Sequence, residues 1–109
     1  MLEPLLGSTN TERVLLFLLA REEGYPREIA RFFDSDFKAI LNQLKKLEAG
    51  GVLRSRSAGR TSLYSFNPRY PFLRELRLLL GKALSFYPED ERKELLMNRR
   101  RPRRRGKPI

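Results

Sequence analysis

The sequence predicts a mainly α-helical fold with one small β-hairpin, on three observations. Phe37, Ile40, Leu41, Leu44 and Leu47 recur at three- and four-residue steps, the period of a helix with one apolar stripe. Gly50 and Gly51 stop that helix. Residues 52–57 and 61–66 are rich in strand formers and are joined by Ala58-Gly59-Arg60, the signature of a tight hairpin. At 109 residues the chain supports one domain, and 40% hydrophobic content supports a modest core. A core of that size often gains stability from self-association.

Residues 1–8 form a short lead with Pro4 and Gly7. Thr9-Asn10-Thr11-Glu12 fits a capping box and opens a helix over 9–23 that ends at Gly24. Val14, Leu15, Leu16, Phe17, Leu18 and Leu19 cover more than one face of it, so it must be buried on two sides. Either it is the central core helix, or a second subunit covers one side. The second reading is the expectation here.

Pro26 suits a first helical position and Glu28 a first turn, opening a short helix over 26–33 with Ile29, Ala30 and Phe33 inward. Asp34 or Ser35 then caps the amphipathic helix. Two helices separated by a tight turn, the second amphipathic, form a helix-turn-helix arrangement. At about 100° per residue, Ser35, Lys38, Ala39, Asn42 and Lys46 fall opposite the apolar stripe, with Gln43 and Lys45 on the flanks. Amides and ammonium groups are the groups that read adenine edges and bind phosphates in a DNA major groove. For Asn42 and Gln43 the alternative is ordinary solvent-facing polarity.

Arg54, Arg56 and Arg60 decorate the hairpin. They either keep an exposed strand edge from aggregating or act as a wing on phosphates and the minor groove. Asn67-Pro68 closes the hairpin. Pro71 opens a long helix to about Phe86 whose Phe72, Leu73, Leu76, Leu78, Leu79, Leu80, Ala83, Leu84 and Phe86 again exceed one stripe. With the first helix it makes a natural dimer seam. Pro88-Glu89-Asp90-Glu91 begins a last helix that Leu95, Leu96 and Met97 could tuck onto the body.

The net charge is +10 with a sequence pI near 10.7, which points to a polyanionic partner. Arg99, Arg100, Arg101, Arg103, Arg104, Arg105 and Lys107 carry much of it, leaving 16 of the 23 bases against 13 acids, or +3, in 1–98. Residues 38–60 hold six bases against Glu48 alone, so the remainder of the body is slightly acidic. The division expected is a folded domain over 1–98 and a basic, disordered tail over 99–109. The tail has three readings: a nucleic-acid arm, a solubilising segment, or a contact for acidic protein.

With no cysteine and no histidine, the chain lacks disulfides, thiolate nucleophiles and the commonest metal ligands and general base. The acids Glu22-Glu23 and Glu89-Asp90-Glu91 sit at helix ends, where solvation and dipole complementarity account for them. Gly50-Gly51 is a helix stop rather than a phosphate loop. An enzyme, a cofactor and a metal are therefore not expected. Residues 1–7 lack a signal-peptide pattern and 14–19 are too short to span a bilayer, so a cytoplasmic protein with no membrane partner is expected.

The run from Phe37 to Leu53, with Leu44-Lys45-Lys46-Leu47-Glu48 followed by Gly50-Gly51, resembles the winged helix-turn-helix transcriptional regulators of the arsenic-repressor (ArsR-like) type. Gly59-Arg60 and Tyr64-Ser65-Phe66-Asn67-Pro68 are similar to the wing tip and return strand of that family, and the likeness covers roughly 9–86. It implies a winged helix-turn-helix with an added C-terminal helix, and a homodimer on palindromic DNA. DNA contact would fall on Lys38, Ala39, Asn42, Gln43, Lys46, Arg56 and Arg60. The family's metal sensors carry Cys/His ligands that this chain lacks, and Asp36 departs from a phosphate-facing helix start.

The expectation is a sequence-specific DNA-binding regulator of prokaryotic type. It would act on double-stranded DNA through a recognition helix over 35–49 and a basic wing over 52–66. Its DNA-binding residues would be Ser35, Lys38, Ala39, Asn42, Gln43, Lys46, Arg54, Arg56 and Arg60. It would dimerise through helices 9–23 and 71–86. The alternative is a winged-helix protein-interaction module, for example with a nucleotidyltransferase-type partner, whose tail binds nucleic acid non-specifically.

Overall fold

The computed structural model describes residues 1–97, with the backbone alone for Met97. Residues 99–109, on which the tail expectation falls, lie outside the described residues. The fold is mostly helical with a three-stranded antiparallel sheet, the winged helix-turn-helix architecture. In chain order the elements are α1 (Glu3–Leu6), α2 (Thr9–Arg21), β1 (Glu23–Gly24), α3 (Pro26–Phe33), α4 (Phe37–Ala49), β2 (Leu53–Ala58), β3 (Thr61–Phe66), α5 (Leu73–Ser85) and α6 (Glu89–Met97).

Helix α2 lies at the centre. Val14, Leu15, Leu16, Phe17 and Leu18 are all buried, joined by Ile29, Ile40, Leu44, Leu53, Phe66, Leu80 and Leu95 from the elements around it. Within one chain the helix over 9–23 is thus the central core helix, the first of the two readings, with Leu19 and Ala20 partly buried at its end. Helices from both ends of the sequence pack around it. Of the two leucines of α6, Leu95 turns inward while Leu96 is exposed.

Helix starts differ from the sequence reading in an instructive way. Ser8 rather than Thr9 caps α2, accepting from the Thr11 N–H at 3.1 Å. Glu12 then serves another purpose: it is 2% exposed and its carboxylate accepts from the Leu2 N–H at 2.8 Å and from the Tyr87 hydroxyl. Asp36, not Asp34 or Ser35, caps α4, accepting from the Ala39 N–H at 2.9 Å. Asp34 instead ends α3 in the left-handed region at φ 53°. Pro26 starts α3 as expected, and Glu28 accepts from the Tyr25 N–H at 3.2 Å.

The sheet runs β1-β3-β2. The hairpin pairs Leu53 with Phe66 through to Ala58 with Thr61, leaving Gly59-Arg60 as a two-residue loop with Gly59 at φ 70°. Asn67 closes its base, donating from its backbone to Val52 O and from its amide to Gly51 O, each at 3.0 Å. The two-residue β1 is not legible in the sequence; it pairs Glu23 with Ser65 and Gly24 with Tyr64. Among the described residues no helix is long and apolar enough to cross a membrane.

Candidate nucleic-acid interface

Helix α4 docks by Ile40 and Leu44, both fully buried, with Phe37 and Leu47 packed partly against the same core. Its opposite side carries Lys38, Asn42, Lys45, Lys46 and Ala49, all exposed, with Ala39 half-exposed at the edge. The outward stripe is thus turned by a fraction of a residue step from the one expected. Lys45, placed on a flank from the sequence, belongs to it.

Two expected DNA-binding residues are engaged inside the fold. The Gln43 side-chain oxygen accepts from the Thr11 hydroxyl at 2.8 Å, so this side chain ties α4 to α2. The Ser35 hydroxyl accepts from Arg13 Nη1 at 2.7 Å, and the same guanidinium lies 5.6 Å from the Phe33 ring centroid. Both hydrogen bonds span elements distant in sequence, so local periodicity carries no trace of them.

The hairpin is fastened to the helix it follows. Ser55 on β2 donates to the Glu48 carboxylate at 2.7 Å, near the C-terminal end of α4. Burial and that same carboxylate push the Tyr64 phenol above its ordinary value, so it stays protonated and neutral. Arg54, Arg56 and Arg60 are all exposed. Arg56 Nη2 stands 3.7 Å from Glu23 Oε1 on β1, so its charge is partly answered within the sheet. In this region the acids have assigned partners: Asp36 at a helix cap, Glu48 with Ser55, Glu23 with Arg56. With six bases against Glu48 alone over 38–60, the exposed face of α4 and the wing tip carry net positive charge.

Arg27 and Arg31 went unremarked in the sequence. Both are exposed on α3, and together with Phe32, Ala58 and Thr61 they line an open cleft of about 510 Å³ between α3 and the hairpin. The Arg27 guanidinium stacks 4.4 Å over the Phe37 ring at the start of α4. No group of three or more carboxylates, histidines or cysteines placed to hold a metal occurs among the described residues.

No family model and no curated protein matches this sequence. Solved structures do. A double mutant of ZitR from Lactococcus lactis in apo form aligns at 24% identity and TM-score 0.54, covering 80% of this chain and 74% of that one. The transcriptional regulator BldR from Sulfolobus solfataricus aligns at 20% identity and TM-score 0.58, covering 91% and 68%. The adhesin competence repressor AdcR from Streptococcus pyogenes aligns at 15% identity and TM-score 0.52, covering 86% and 78%. ZitR is described as a zinc-responsive MarR family member. At these identities the likeness is one of fold, and among these neighbours the ArsR-like resemblance finds no counterpart.

Proposed function

We propose that this protein is a DNA-binding transcriptional regulator in which α4 enters the major groove and the β2–β3 wing tracks the backbone. The observation that carries this reading is the division of α4. Ile40 and Leu44 face the core, while Lys38, Asn42, Lys45 and Lys46 face solvent next to an arginine-tipped hairpin. Asn42 is the base reader, because a carboxamide pairs bidentately with adenine, worth roughly 1–3 kcal/mol of discrimination. Lys38, Lys45, Lys46, Arg54, Arg56 and Arg60 neutralise phosphates. Ala39 sits at the stripe's edge, where its methyl suits a thymine methyl. Gln43 and Ser35 hold the helix in place rather than reading DNA.

The fold shared with BldR and AdcR, described as a transcriptional regulator and a repressor, supports the regulatory reading. It is a reading of binding, not catalysis. The protein acts as a homodimer through α5, since Val14 to Leu18 of α2 are buried within one chain while α5 keeps large exposed apolar side chains. Residues 1–98 are the DNA-reading domain and 99–109 a separate basic arm.

Selection of bound duplexes from a random pool at physiological salt tests this. Expected are a preferred sequence with two-fold symmetry and a changed preference at one base position for Asn42→Ala. Gln43→Ala is expected to leave the preferred sequence unchanged. A pool that emerges unselected would overturn the proposal.

A further inference from the structure

Helix α5 leaves one face uncovered. Phe72 is 63% exposed, Leu78 64% and Phe86 68%, three of the six large exposed hydrophobics of the described chain, all on α5 or its two flanking residues. Phe72, Glu75, Leu79, Lys82 and Phe86 follow each other at steps of three and four, the spacing of a coiled-coil seam. Projected at 100° per residue, the exposed Glu75, Lys82 and Phe86 and the half-buried Leu79 fall within an arc of roughly 60°, away from the buried Leu80 and Leu84 and bounded on the Leu79 side by the buried Ala83. Leu78 flanks them on one side.

The order along this seam is aromatic, acid, leucine, base, aromatic. Read in the opposite direction it is the same pattern with the two charges exchanged. That is the condition for a helix to pair with an antiparallel copy of itself. We infer that α5 packs against α5 of a second copy, antiparallel and with Leu79 at the two-fold axis. This register sets each Phe72 against the other chain's Phe86, and each Glu75 within one residue, about 1.5 Å along the axis, of the other chain's Lys82. The inference rests on the homodimer proposed above and specifies its register.

The charges fit this partner and no parallel one. In a parallel pair Glu75 would face its own copy and Lys82 likewise, two like-charge contacts at the seam. In the antiparallel pair both contacts are opposite in sign, and the helix dipoles also meet head to tail. Within the chain the Glu75 carboxylate lies 3.7 Å from Arg74 Nη1, an exposed pair of sequence neighbours that leaves it accessible. The Lys82 ammonium has no acidic partner among the described residues. Gly81, on the exposed side, has open space where a Cβ would project, so nothing in its own chain requires glycine there. The seam spans 15 residues, about 21 Å from first to last, enough for a modest self-association and no more.

Sedimentation equilibrium of the full chain tests the register. The parent protein is expected to dimerise. Glu75→Lys alone or Lys82→Glu alone sets like charges together at both symmetry-related contacts, and each is expected to weaken the dimer about tenfold. The double exchange Glu75→Lys with Lys82→Glu keeps every contact opposite in sign and is expected to restore the parent affinity. An equimolar mixture of the two single variants is expected to associate better than either alone. Because both residues are exposed, circular dichroism should match the parent throughout. A parent dimer indifferent to these changes would overturn the register and leave the dimer standing. A parent chain that stays monomeric would overturn both.

Discussion

Glu12 shows how far one residue's role can lie from its local appearance. Three residues after Thr9, at the start of a helix, it fits a capping box, yet its carboxylate is sealed inside and accepts from the Tyr87 hydroxyl near the far end of the described chain. Burial is the main cause, with that hydrogen bond second, that pushes the Tyr87 phenol well above its ordinary value. A raised folded-state value means the fold favours the protonated tyrosine. This contribution is fully present below about pH 10, the unfolded value, and declines as pH rises beyond it. Tyr87→Phe removes a donor from a buried carboxylate and should cost about 1–3 kcal/mol in denaturant unfolding at neutral pH. The variant should also lose the part of the stability decline above pH 10 that Tyr87 causes. An unchanged unfolding midpoint would show the contact to be inert. Gln43 teaches a related lesson. Periodicity places it on a flank, and only the position of α2 decides that this flank is covered.

At the scale of elements, apolar spacing and turn chemistry made most of the fold legible before any coordinates. The helix over Pro26–Phe33, the hairpin and the long C-terminal helix lie where stripe, proline and glycine signals place them. The winged arrangement itself follows from their order. What escaped were elements made by tertiary contact: the four-residue α1 and the two-residue β1. Gly24 illustrates why. In the sequence it looks like a helix stop, but the turn is taken by Glu22 at φ 74°, and Gly24 is a strand residue lying on Phe17. A Cβ at Gly24 would stand 2.7 Å from Phe17 Cε1. Gly24→Ala should therefore force β1 off the core and cost about 1–3 kcal/mol, read as a lower unfolding midpoint. If stability holds, β1 is not seated as tightly as that distance implies. Likewise, the outward side of α4 was legible to within about one residue step, because its inward side is set by Ile40 and Leu44.

For the whole molecule, the proposed function divides the basic charge between the α4 and wing surface and the sequence over 99–109. Removing 99–109 takes away seven bases. Titration of labelled duplexes across salt concentrations should then show weaker binding and a shallower dependence of log K on log salt, with base preference intact. Arg60→Ala should flatten that slope by about one unit for every sequence alike. Loss of base preference on truncation would mean the two parts are not separable. One cation bears on that question. Arg21, with a side chain only 7% exposed, donates to Leu95 O at 2.9 Å and Glu94 O at 3.2 Å in α6. The same guanidinium lies 4.8 Å from the Phe32 ring centroid in α3. The last turn of α6 and the helix that packs on α4 are thus both in contact with one guanidinium of α2, beside their apolar packing on the core.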